Sequence, residues 1–85
     1  MNINLKEIAN NTNSIGWLVL DLLRKEQLTF MKLRSELELS QDKTYKELAR
    51  LEGGLLISTE RDPKDQRVAL YSLTKYGKAV FDFKE

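Results

Sequence analysis

The chain has no cysteine and no histidine among its 85 residues. Without cysteine there is no disulfide and no thiolate chemistry. Lacking both, it has no zinc site of the usual Cys/His type and no acid–base catalysis by imidazole. No apolar run approaches the ~20 residues needed to cross a bilayer. The N-terminus, "MNINLKEIANN", has no basic start, apolar core or small-residue cleavage site of a signal peptide, so the expected location is the cytoplasm. A phosphate-cradling glycine loop is missing, as is a nucleophile with a base beside it. Glu36 and Glu38 stand two apart on a helix and do not converge on one face. Neither an enzyme, a cofactor, a metal nor a membrane partner is expected.

Charged residues make up 32% of the chain and hydrophobic ones 41%, the balance of a folded domain rather than a disordered one. The length gives room for one domain with a modest core. The net charge is +1 and the isoelectric point about 7.9. Dedicated nucleic-acid domains often exceed a pI of about 9, so a nucleic-acid reading must rest on where the charges sit.

Residues 1–13 are Asn-rich, with Ile3, Leu5 and Ile8 as apolar positions, and read as an arm or short helix. Asn13 or Ser14 then caps a helix over 14–27. In it Ile15, Leu18, Val19, Leu22 and Leu23 form one apolar stripe. Trp17 and Leu20 fall about 140–200° around from Ile15. A helix apolar on two sides is buried on two sides, so the second side meets another subunit or is covered by the N-terminal arm. Thr29 caps a helix over 29–38 that faces inward through Phe30, Leu33 and Leu37. Ser40 caps the next, 40–52, which buries Thr44, Leu48 and Leu51. Joined by a turn of a few residues, the two make a helix-turn-helix. Gly53 and Gly54 are expected to end the second helix in the left-handed conformation.

Residues 55–73 read as a β-hairpin. Its tip, "RDPKDQR" (Arg61 to Arg67), has five charged residues of seven and the chain's single proline, Pro63. Which face of the second strand points inward is left open by the alternation of Val68, Leu70 and Ser72 with Ala69, Tyr71 and Leu73. Thr74 caps a last helix over 74–84, with Tyr76, Ala79, Val80 and Phe83 on one face and Phe81 on the other. The expected fold is therefore α+β, mostly α: a winged helix-turn-helix of three helices, a two-stranded wing and a C-terminal helix.

"LSQDKTYKELARLEGGLL" followed by "DPKDQRVALYSLTKYGKAVF" resembles the short MarR-like winged-helix transcriptional regulators. The carrying features are Leu39-Ser40 before the helix, Leu51-Glu52 and Gly54-Leu55 at its end, Asp62-x-x-Asp65-x-Arg67 in the wing, and Leu73-Thr74-x-x-Gly77. The helix exit is one residue shorter than the family's. The chain also ends at Glu85, without the long C-terminal dimerisation helices of full-length members.

The resemblance implies a homodimer that binds double-stranded, pseudo-palindromic DNA and regulates transcription. The helix 40–52 would enter the major groove, where Gln41 suits adenine and Lys43 and Lys46 suit guanine or phosphate. Asp42 either accepts from cytosine or simply favours the positive end of the helix dipole. Tyr45 stacks, meets a phosphate or lies half-buried, and Arg50 serves a phosphate. In the wing, Arg67 or Lys64 would approach the minor groove, and Asp65 would pair with Arg67 or Arg61. The alternative for the wing is a solvated turn that keeps an edge hairpin from aggregating. Dimer contacts would fall to Trp17, Leu20, Phe81 or the N-terminal arm. Two other functions remain open: a winged-helix protein–protein interaction module, and a plasmid or viral replication or partition protein on the same fold.

Overall fold

The structure, a computed structural model, describes residues 4–84; Ile3 lies outside them. Five α-helices are present among these residues, and each opens on a side-chain oxygen that accepts the N–H three residues on. Asn4 does so for α1 (Leu5–Asn11), Asn13 for α2 (Ser14–Lys25), Thr29 for α3 (Phe30–Leu37), Ser40 for α4 (Gln41–Gly53) and Thr74 for α5 (Lys75–Ala79). Such caps satisfy backbone donors that have no partner inside the helix. After α5 the chain tightens into a 3-10 turn, Val80–Phe83.

The sheet has three antiparallel strands in the order β1-β3-β2. β2 (Ile57–Asp62) and β3 (Asp65–Leu73) form the wing, paired from Ile57 opposite Leu73 to Asp62 opposite Asp65, with an irregularity between Arg61 and Asp62. β1, Leu28–Thr29, adds a short third strand on the far side of β3, with Leu28 opposite Tyr71. This strand was not expected. Two residues carry no readable period, and β1 exists because β3 offers a free edge. The inward face of β3 is the set Ala69, Tyr71 and Leu73, which packs on the core.

Around this sheet Val19, Leu20 and Leu23 of α2 meet Leu33 of α3, Leu48 and Leu51 of α4, Leu56, Ile57 and Val80. Thr44 is buried with them, its hydroxyl satisfied by donating to the Ser40 carbonyl at 2.8 Å. The face of α2 differs from expectation. Val19 and Leu23 do point inward, joined by Gly16 and Leu20, whereas Ile15 is 37% and Leu18 46% exposed. Periodicity marks both apolar stripes of a two-sided helix. The elements packed against it decide which stripe is covered.

Two chain ends also depart from expectation. No glycine has a positive φ; the left-handed residue after α4 is Leu55, at φ 66°. The N–H of Leu55 bonds the Glu52 carbonyl and that of Leu56 the Leu51 carbonyl, both at 3.0 Å, which places a Schellman-type cap one residue beyond the glycines. At the C-terminus the 3-10 turn advances more per residue than an α-helix. Phe81 is thereby packed against the core while Phe83 is 40% exposed.

Candidate nucleic-acid interface

The outer face of α4 is polar and free. Gln41, Asp42, Lys43, Tyr45, Lys46, Ala49 and Arg50 are all exposed, while Thr44, Leu48 and Leu51 anchor the helix from beneath. At 100° per residue Lys43, Lys46 and Arg50 fall within an arc of about 60°. Gln41 and Tyr45 sit at the edge nearest the wing.

The wing is pre-shaped at its tip. Asp62 accepts the Lys64 N–H at 2.8 Å, closing the Pro63-Lys64 turn. Asp65 accepts three bonds from Arg67: the backbone N–H at 3.1 Å, Nε at 3.1 Å and Nη2 at 3.4 Å. The Arg67 side chain is nonetheless 91% exposed. It is held in one orientation and still presented to solvent. Hydrogen bonds from the Arg67 side chain, then from its backbone, hold the Asp65 carboxyl below its ordinary value. Asp65 therefore pairs with Arg67 rather than with Arg61. Arg61 makes no ion pair with any described residue. Deeper in the wing, burial and then the Glu52 carboxylate push the Tyr71 phenol up, which keeps it protonated.

Helix and wing meet across an open cleft of about 290 Å³. Gln41 and Tyr45 line it from α4, and Arg61 and Arg67 from the wing. The Tyr45 ring stacks on Phe30 with centroids 4.1 Å apart and planes at 21°. The ring is 50% exposed and fixed from one side. Arg50 is not brought to this cleft. It lies 3.7 Å from Glu47 and lines a separate cavity of about 200 Å³ against α1 and the start of α2, with Ile8, Asn11 and Asn13.

Sequence reasoning missed Met31, which is 64% exposed and lines the same cleft as Arg61 and Arg67. The signal was present. Met31 lies about 100–160° around the helix from the inward Phe30, Leu33 and Leu37, a large apolar side chain on the polar side of a helix.

The residues expected to meet a second subunit are corrected in part. Leu20 is fully buried within the chain and offers no surface. Trp17 and Phe81 are half-buried against one another, with ring centroids 5.7 Å apart. The Arg24 guanidinium lies 4.4 Å over Phe81, and the Lys84 ammonium 5.2 Å over Trp17. Phe81 thus covers part of the tryptophan. The apolar surface left open on α2 is Ile15 and Leu18.

No family model and no curated protein matches the chain. Solved structures do. The zinc-responsive MarR family member ZitR of Lactococcus lactis is 30% identical with a TM-score of 0.75, the match covering 82% of this chain and 49% of that one. The adhesin competence repressor AdcR of Streptococcus pyogenes is 26% identical with a TM-score of 0.79, covering 92% and 58%. The PcaV transcriptional regulator of Streptomyces coelicolor, solved with its natural ligand, is 27% identical with a TM-score of 0.79, covering 92% and 57%.

The chain is a MarR-like winged-helix domain.

This MarR-like domain spans 49% to 58% of the length of those three relatives. ZitR is zinc-responsive. The chain has no His or Cys, and no three Asp or Glu side chains gather into a group among the described residues. No helix among those residues is long and apolar enough to cross a membrane.

Proposed function

We propose that this domain is a sequence-specific binder of double-stranded DNA that regulates transcription as a homodimer, working by binding rather than catalysis. α4 enters the major groove with Gln41, Lys43 and Lys46 at base edges or phosphates. The wing reaches the adjacent minor groove or backbone with Arg67, Lys64 and Arg61. The observation that carries this reading is the clasp of Arg67 by Asp65, on a wing that shares one cleft with the N-terminal half of α4. An exposed arginine already ordered in the free protein loses less side-chain freedom on binding. It also suits the negative potential of a narrow A·T minor groove. Asp42, in the first turn of α4, favours the helix dipole. Arg50, beside Glu47, serves a flanking phosphate.

The test is fluorescence anisotropy of the chain with random duplex DNA at two salt concentrations. Non-specific affinities of about 10⁻⁴–10⁻⁶ M are expected at physiological salt. Six cations at the interface (Lys43, Lys46, Arg50, Arg61, Lys64 and Arg67) predict a slope of log K on log salt of up to about −5.4 per domain. A second reading, a protein-binding winged helix, draws on the exposed Ile15 and Leu18 and on the net charge of +1. No binding to duplex at low salt would select that reading instead.

A further inference from the structure

The cleft between α4 and the wing has a mixed lining that groove readout does not explain. Its cations, Arg61 and Arg67, come from the wing, and its amide and phenol, Gln41 and Tyr45, from α4. The remainder is the Thr29 side chain and four apolar ones: Met31 and Phe30 of α3, with Val68 and Ala69 of β3. Base edges in the major groove are read by the outer face of α4, and the minor groove by the wing tip. Neither needs an exposed methionine between them.

A duplex does supply something at that place. Adjacent major and minor grooves are separated by one sugar–phosphate strand. A domain with a helix in one groove and a wing in the next must straddle that strand. The strand is itself mixed in character, with anionic phosphates linked through the carbon edges of deoxyribose.

We propose that this cleft is a saddle for the single backbone strand between the two grooves, with Arg61 at its phosphate and Met31 packed on deoxyribose carbon. The saddle rests on the DNA-binding reading above and adds to it a subsite and a residue, Met31, that carries affinity without charge. Charge complementarity selects the occupant, since Arg61 has no carboxylate partner among the described residues. The stack of Tyr45 on Phe30, with centroids 4.1 Å apart, holds the apolar part of the lining in place. Methionine suits the role because its unbranched thioether adapts to an irregular surface.

The experiment uses the full chain and a duplex recovered from a random-sequence pool by repeated binding to it. Uncharged methylphosphonate linkages are placed one at a time along each strand of that duplex. One linkage per half-site is expected to weaken wild-type binding about tenfold, and the same linkage is expected to have no effect on Arg61→Ala. Met31→Ala is expected to lose about threefold in affinity with an unchanged salt slope. Arg61→Ala is expected to lower the slope by about one. Both side chains are exposed, and thermal unfolding of each variant checks that it folds like wild type.

If the duplex binds and responds to Lys46→Ala but no linkage couples to Arg61, the saddle is overturned and the DNA reading stands. If replacing one thymine by uracil weakens wild type but not Met31→Ala, the methionine sits on a base and the saddle is again overturned. If no duplex binds at low salt, both fall together.

Discussion

Gly77 shows how one missing side chain can set the geometry of a domain. A Cβ built there would lie 2.0 Å from the Leu56 carbonyl oxygen. That oxygen is not free to move, because it accepts the Thr74 N–H at 3.1 Å and thereby ties the start of α5 to the approach to β2. Gly77→Ala is expected to destabilise the domain by roughly 3 kcal/mol, measured as the shift of the urea unfolding curve. Gly53→Ala is the control. Nothing lies within 4 Å of its Cβ position, at the last residue of α4. There the helix propensity of alanine is expected to leave stability unchanged or raise it by about 0.5 kcal/mol. Asp65 gives a second prediction at this scale. Its carboxyl is held below the ordinary value of 3.8 by Arg67. For a depressed carboxyl the favourable contact is complete above the ordinary value and lost as pH falls through the lowered one. The side-chain carboxyl carbon resonance of Asp65 should therefore titrate below 3.8. In Arg67→Ala it should move back up. An unchanged midpoint in that variant would mean that no clasp forms in solution.

Among the elements, α4 carries the central prediction. Lys46 is exposed on its outer face and has no ion-pair partner among the described residues. Lys46→Ala should weaken specific DNA binding by about 1–3 kcal/mol while leaving the unfolding curve in place. Affinity equal to wild type would mean that another element enters the groove. What the sequence disclosed about these elements follows the range of the forces involved. The caps at Asn13, Thr29, Ser40 and Thr74 were readable because an oxygen and an N–H three residues on are both local. The wing was readable because Pro63 and its flanking aspartates close a turn between two apolar runs. β1 was not readable, since it depends wholly on β3 as a partner. The left-handed cap at Leu55 was assigned to glycine, the residue with least strain there; the observed cap falls one residue later because Leu56 and Ile57 are pulled into the core. Of the site, the charged residues of α4 and the wing were legible as types at spacings. The cleft that joins Gln41, Tyr45, Arg61 and Arg67 was not, because it is made where α3, α4 and β3 converge.

The whole molecule has two outward faces of different chemistry. One is the polar face of α4 with the wing. The other is apolar, formed on α2 by Ile15 and Leu18, which are 37% and 46% exposed. The two side chains lie one helical turn apart on the same side of α2. A homodimer of the kind proposed above that joined through this stripe would use the same patch twice, as two-fold interfaces do. Leu18→Glu would then put a charge into the contact from both sides, where it is desolvated and repelled by its symmetry mate. Sedimentation should show the variant shifting from dimer toward monomer, with the thermal unfolding of the monomer unchanged, because Leu18 gives little to the core. Affinity for a two-half-site duplex should fall far more than affinity for a single half-site, since the second half is no longer bound by a linked copy. Leu20→Glu should behave differently. It forces a carboxylate into a fully buried position and is expected to unfold the chain rather than merely dissociate it. If Leu18→Glu sediments as wild type while Leu20→Glu unfolds, the inward face of α2 is right and the second copy docks elsewhere. If Leu20→Glu stays folded and turns monomeric, the helix faces the other way, and the stripe at Ile15 and Leu18 belongs to the core.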